Sequence, residues 1–141
     1  MAIDALLAVG CGSKTPPAAS KPKPVLPQIL NGEPLLPCPH GAAAGTTIGM
    51  EGCSEQRLLR TYVKIVAHER AIYSLLSAKA CIAFASGERA WVVYQEGLCT
   101  ARVSRYDGGT GGPLEFGFCE EEISSAHLKA LAATQSLLTQ H

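Results

Sequence analysis

The sequence predicts an all-α fold: a small three-helix, disulfide-linked domain that contains an antiparallel helical hairpin and follows a proline-rich tether. Apolar residues recur at a period near 3.6 from Met50 onward, which is typical of helices that bury one face. All but one of the nine prolines lie between Pro16 and Pro39. Six cysteines in 141 residues are many for a reduced compartment and indicate an oxidised, exported protein.

Size and charge exclude several classes of function. A chain of 141 residues suits one domain. Twelve basic residues balance twelve acidic ones, so the net charge is zero and no basic face for nucleic acid is expected. No apolar run approaches the roughly 18 residues that a membrane-spanning helix needs. The bulk figures therefore predict a small domain outside the cytoplasm that does not bind nucleic acid.

Proline content divides the chain into three parts. Residues 1–11 are interpreted as the remnant of a signal peptide with a lipobox-like end, 12–37 as a proline-rich linker and 38–141 as the helical domain. Proline fixes φ and lacks an N–H, so the linker is expected to be extended and semi-rigid.

The segment before Cys11 predicts lipidation. Leu7 to Cys11 (L-A-V-G-C) resembles the lipobox of bacterial lipoproteins, in which the cysteine is acylated after cleavage. This resemblance implies a lipid anchor at Cys11 and attachment to a membrane. The alternative interpretation is a frayed N-terminus with an incidental cysteine.

Capping residues and breakers place the helices. Ser54 is suited to cap the first helix, Ser77 begins the second, and Pro113 fits the first turn of the third. The glycine-rich run at 107–112 must be a loop. A short strand over 91–94 is an alternative, but it is flanked by helical periodicity.

The cysteines support a hairpin between the second and third helices. Cys99 and Cys119 are equally far from Gly109, so they face each other across an antiparallel turn and are expected to form a disulfide. Cys38 and Cys53 are the next expected pair.

If Cys11 is acylated, five cysteines remain, so one of them cannot be in a disulfide bond within the chain. Cys81 is expected to be that residue, as a buried thiol on the same stripe as Phe84. The competing scheme has three bridges across all six cysteines, with Cys11 paired, and spacing alone does not decide between them.

Two motifs around these cysteines resemble a known family. Trp91 to Cys99 reads W-V-V-Y-Q-E-G-L-C, and Tyr106 to Leu114 reads Y-D-G-G-T-G-G-P-L before Cys119. With Cys53 in a Met-x-x-Cys opening, this pattern resembles the N-terminal domain of LprI-type lysozyme inhibitors, which are small secreted or lipid-anchored bacterial proteins. Family arginines are replaced here by two other residues, namely Gln95 and His127.

The resemblance implies a helical, disulfide-linked envelope domain without enzymatic activity that binds a lysozyme or another muramidase. The expected mechanism is steric: the hairpin presents a binding loop to the sugar cleft of the enzyme. Loop residues expected to contact the partner are Tyr106, Asp107, Gly108 and Gly109. Residues expected in the structural core are Trp91, Tyr94, Pro113 and Leu114. The alternative function is a structural or interaction module of the envelope without lysozyme inhibition.

Other chemistry finds no support in the sequence. His40 lies beside Cys38, but no second Cys/His pair has ligand spacing, so no metal site or other cofactor is expected. No residue set resembles a catalytic triad or an acid–base pair, so no catalytic residue is expected. The acidic run 120–122 is expected to be a solvated helix face, or else a contact for a cationic lysozyme.

Overall fold

A computed structural model describes residues 36–109 and 111–140, and these residues form helices without any strand. A short 3₁₀ helix, Gly41–Gly45, precedes α1 (Thr47–Leu75), α2 (Ala78–Val103) and α3 (Gly111–Thr139). The predicted all-α, three-helix fold is confirmed, and the alternative strand over 91–94 is wrong because those residues lie inside α2. The predictions for Cys11 and for nearly all of the proline-rich linker fall on residues outside the described ranges.

The first helix begins earlier than predicted. Thr46 caps it, with its hydroxyl accepting a hydrogen bond from the Gly49 N–H at 3.1 Å, whereas Ser54 is buried inside the helix. Helix propensity does not predict this start, because glycine in the first turns is a poor helix former. The glycines are required by close approach, because a Cβ at Gly49 would clash with the Ala43 carbonyl and one at Gly52 with the Pro37 carbonyl.

The second helix begins where the sequence predicts. The Ser77 hydroxyl accepts a hydrogen bond from the Ala80 N–H at 3.3 Å. Only Leu76 and Ser77 separate α1 from α2, so the chain reverses its direction within a two-residue connection.

The first and third helices run parallel, and α2 runs antiparallel to both. Arg57 of α1 contacts Glu121 of α3 at 2.8 Å, and further along both helices His68 contacts Gln135 at 2.6 Å. Contacts of α2 with α1 run in the opposite order. Tyr62 bonds to Gln95 at 2.7 Å, whereas the later Tyr73 packs edge-on against the earlier Phe84 with ring centroids 5.0 Å apart. The bundle is therefore up-down-up.

The core follows the inner faces of the three helices. Trp91 packs against both buried clusters, which centre on Leu58 and Ile72. The buried apolar residues are Leu58, Tyr62, Ile65, Ile72, Cys81, Ala85, Cys99, Cys119 and Leu131.

Two predicted core residues lie outside this core. Tyr94 is 61% exposed, and Pro113 is exposed in the first turn of α3, while Leu114 is half-buried. Helix geometry explains the exposure of Tyr94. The inner face of α2 contains Trp91 and, four positions later, Gln95, so Tyr94 points away from this face.

Both predicted disulfides are present. Cys99 joins Cys119 with Cα atoms 5.6 Å apart, and Cys38 joins Cys53 with Cα atoms 4.3 Å apart. The expectation that Cys81 is a thiol is wrong, because Cys81 is disulfide-bonded. Burial on an apolar stripe suits a cystine as well as a thiol, so the sequence argument could not separate them. None of the described helices is apolar enough over a sufficient length to cross a membrane.

Replacing Cys99 and Cys119 together with serine is expected to lower the free energy of unfolding by about 3 kcal/mol, since the bond closes a loop with a sequence separation of 20. Urea denaturation followed by circular dichroism measures this change. The C38S/C53S variant, whose loop spans 15 residues, serves as the matched comparison. A loss below about 0.5 kcal/mol would contradict a stabilising role for the hairpin bond.

Candidate functional site

The loop between α2 and α3 is anchored by Tyr106 and exposed beyond it. The half-buried Tyr106 ring covers the start of α3, where a Cβ at Gly111 would lie 3.0 Å from two ring atoms. Arg105 donates a hydrogen bond to the Tyr106 hydroxyl at 3.1 Å. Asp107, Gly108 and Gly109 are exposed, and Gly108 has a φ of 70°, which favours glycine. Tyr106 therefore holds the loop, and the following residues are presented to solvent.

The loop lies at the cross-linked end of the bundle. Cys99 and Cys119 join the helices that flank it, and Cys53 joins the neighbouring start of α1 to Cys38. Two covalent links close to one exposed loop limit its motion relative to the helices. Such a loop loses less conformational entropy when it binds a partner.

A small acidic cleft lies between α1 and α3, next to the loop. Its volume is about 130 Å³. Glu51 and Glu55 line it from α1 and Glu120 from α3, and Glu55 also accepts a hydrogen bond from the Leu36 N–H at 2.9 Å. Apolar and small residues complete its wall: Ser54, Leu58, Pro113, Leu114 and Gly117.

The acidic run on α3 is not a uniform solvated face. Glu122 is exposed and binds Arg102 at 2.7 Å, whereas Glu121 binds Arg57 and accepts a hydrogen bond from Ser54. Glu120 turns inward and is only 5% exposed. Successive helical residues are separated by about 100°, so three adjacent carboxylates reach three different environments.

Burial changes the acid–base behaviour of Glu120. Loss of solvent raises its pKa to about 7, and repulsion from Glu96 adds to the rise. One oxygen, Oε2, is buried without a hydrogen-bond partner among the described residues. The cleft therefore ends on a carboxyl group that holds its proton close to neutral pH.

Acidic residues concentrate in the half of the bundle that carries the loop. Among the described residues of the helices and of the loop after α2, Glu69 and Glu88 lie beyond its middle and Glu96 lies near the middle. The others lie toward the loop: Glu51, Glu55, Asp107, Glu115, Glu120, Glu121 and Glu122. Arginines of the same half offset part of this charge and leave a small negative excess; they are Arg57, Arg60, Arg102 and Arg105. Zero net charge thus coexists with an acidic end that favours encounter with a cationic partner.

A neutral polar chain crosses the interior behind this end. The Tyr62 hydroxyl donates to Gln95 Oε1 at 2.7 Å, and Gln95 Nε2 donates to Ser124 Oγ at 2.8 Å. Burial raises the pKa of Tyr62 to about 12. Gln95, which occupies the position of a family arginine in the resemblance described above, thus links all three helices without a buried charge.

The second such position, His127, lies deeper along the bundle. Its ring stacks on Trp91 with centroids 3.9 Å apart and planes 10° apart, and Nε2 lies 2.7 Å from Glu88 Oε2. Glu69 faces the same point from α1, so that one ligating atom from each of the three side chains lies within 4.8 Å of the others. Burial raises the pKa of Glu69 well above its ordinary value, and the neighbouring Glu88 carboxyl group adds to the rise.

Comparison of the chain with family models, curated proteins and solved structures finds no match. The likeness to LprI-type inhibitors therefore remains a hypothesis from sequence motifs. Of its residues, Tyr106 to Gly109 form one loop that is exposed from Asp107 onward. The acidic cleft and the Glu69–Glu88–His127 cluster are absent from the sequence-based predictions.

Replacing Gln95 with leucine is expected to destabilise the fold by about 2 kcal/mol, because the Tyr62 and Ser124 hydroxyls lose their buried partner. Tyr94→Ala, on the exposed neighbour, is the control and should cost less than about 0.5 kcal/mol. If both variants lose the same free energy of unfolding in urea denaturation, the buried polar chain does not contribute to stability.

The raised pKa of Glu120 predicts that the free energy of unfolding falls as pH rises. Its pKa is about 7 in the fold against an ordinary 4.5, so the native state binds more protons between these values and the free energy of unfolding decreases as pH rises through them. The contribution is on the order of 2 to 3 kcal/mol. Glu120→Gln should reduce this decrease in denaturation measured from pH 4 to 8, and the part that remains belongs to Glu69, whose pKa is also raised by burial.

The control for that experiment is Glu122→Gln. Glu122 is exposed and its pKa is lowered by Arg102, so this variant should retain the decrease that belongs to Glu120. An undiminished slope in Glu120→Gln would show that the carboxyl group is ionised in the fold.

Proposed function

We propose that this protein is a non-enzymatic protein of the bacterial cell envelope that binds and inhibits a lysozyme-type muramidase. The observation that carries the proposal is the exposed 107–109 segment, held by Tyr106 at the doubly cross-linked end of the bundle. The sequence motifs that resemble LprI-type inhibitors supply the class of partner.

The proposed mechanism is steric. Lysozyme-type enzymes place two carboxyl groups on either side of the glycosidic bond in an open sugar cleft. Asp107 and the exposed backbone of Gly108 and Gly109 enter this cleft and occupy sugar subsites, so that substrate is excluded. Glycine has no side chain to prevent close approach of the backbone.

The acidic end of the bundle supports the same interaction. Basic groups around the cleft of a cationic enzyme meet Asp107 and the excess negative charge of this end of the bundle. Charge complementarity of this kind speeds association and fixes orientation, and salt weakens it. The proposal therefore includes inhibition that declines as ionic strength rises.

The proposed location is the periplasm or the outer envelope. Two disulfide bonds in a small domain are consistent with export to an oxidising compartment.

Purified, oxidised protein is expected to slow the lysis of bacterial cell walls by at least one structural class of lysozyme, at a concentration of about 1 μM. Asp107→Lys should weaken inhibition about tenfold by placing a cation against a cationic cleft rim. Turbidity clearing measures lysis, and biolayer interferometry measures binding.

Thr134→Lys is the control, because it adds a cation at an exposed position of α3 far from the loop and should leave inhibition unchanged. Absence of binding to every lysozyme class would refute the proposal. Binding without inhibition would support the alternative, an interaction module of the envelope.

A further inference from the structure

We propose that Glu69, Glu88 and His127 form a binding site for a divalent transition-metal ion, with zinc the best match to the ligands. Each helix supplies one of the three residues: Glu69 from α1, Glu88 from α2 and His127 from α3. One ligating atom from each lies within 4.8 Å of the other two. Helical bundles build metal sites in this way, from side chains that project inward from facing helices.

The donor set selects the class of ion. One imidazole nitrogen with two carboxylate oxygens suits zinc and its neighbours in the first transition series, whereas calcium and magnesium prefer oxygen ligands alone. Three protein ligands leave a fourth position of a tetrahedral ion for water.

Small shifts would bring the ligands to bonding distance. Bonds of about 2.1 Å in tetrahedral geometry place ligand atoms about 3.4 Å apart. The distance between His127 Nε2 and Glu88 Oε2, now 2.7 Å, would increase slightly. Any pair of ligating atoms that lies near the upper limit of 4.8 Å would move closer together. Glutamate side chains supply this adjustment by rotation about their terminal bonds.

The surroundings orient the histidine ligand and keep the site largely out of solvent. Stacking on Trp91 fixes the plane of the His127 ring, and both residues line a groove of about 360 Å³ between α2 and α3. The side chains of Glu88 and His127 are only 13% and 12% exposed, so a bound ion would lie largely out of solvent.

A further polar group lies on the same side of α1. The Tyr73 hydroxyl is buried without a hydrogen-bond partner among the described residues, one helical turn beyond Glu69. Burial raises its pKa to about 12, and the nearby Glu69 and Glu88 add to the rise. A hydroxyl in this place is available to donate to a ligating carboxylate, as outer-shell groups of metal sites do.

A cation would relieve an electrostatic cost that the metal-free cluster carries. Two carboxyl groups stand together at a half-buried point, with Arg70 as a nearby cation that only partly opposes their repulsion. An ion with two positive charges would compensate this repulsion.

The only tryptophan of the chain reports on this site directly. Trp91 stacks on His127, so zinc chloride added to the oxidised full chain is expected to change its fluorescence and to saturate at one ion per protein. Isothermal titration calorimetry gives the affinity independently of the fluorophore. No saturable change in either measurement would overturn the proposal.

Variants locate the ion. His127→Gln and Glu88→Gln are each expected to weaken zinc binding at least about tenfold. His68→Gln is the matched control, since this histidine is adjacent to Glu69 but contacts Gln135 on another face. Equal weakening in the control, or unchanged binding in His127→Gln, would place the ion elsewhere and refute the site.

Two further measurements keep the result interpretable. Circular dichroism of each variant without metal confirms the helical fold, and Glu69→Gln, the mildest change, repeats the test if His127→Gln is unfolded. Cobalt should bind with the visible absorption of a tetrahedral ion. Calcium binding as tight as that of zinc would contradict the assignment to a transition metal.

Discussion

The disulfide between Cys99 and Cys119 fixes the register between α2 and α3, and the other contacts between these two helices follow from it. Moving from the bond toward the far end, Gln95 meets Ser124 and Glu88 meets His127. These α2 residues are spaced by whole turns, so one covalent link aligns a whole inner face. A shift of one residue between the two helices would separate both pairs.

Periodicity and turn chemistry predicted the elements but not their ends or all of their faces. Ser77 was recognisable because a capping serine stands directly between two apolar stripes. The true start of α1 was hidden, because Gly49 weakens helical propensity and is there to admit the Ala43 carbonyl. Tyr94 and Glu120 were assigned to the wrong environment, since sequence alone does not show which neighbour each face of a three-helix bundle meets.

Dependence on tertiary structure also explains why the loop could be predicted from the sequence and the Glu69–Glu88–His127 cluster could not. The loop at 107–109 is continuous in sequence and rich in glycine, so composition alone located it. Glu69, Glu88 and His127 come from three helices and match no local ligand spacing. Their proximity depends on the parallel register of α1 with α3 and on the antiparallel register of α2, which only tertiary structure supplies.

Net charge is a poor guide to this molecule because its charges are segregated. Near the loop acidic residues outnumber the arginines, while toward the other end Lys64, Lys79, Arg89 and Lys129 outnumber Glu69 and Glu88, so a neutral chain presents fields of opposite sign. Glu120 does not add to the acidic field while its buried carboxyl group holds a proton, with a pKa of about 7. The field near the loop therefore strengthens as pH rises through neutrality, in the same range in which the fold loses stability. Attraction of a cationic partner and stability of the free protein thus change in opposite directions with pH, through one side chain.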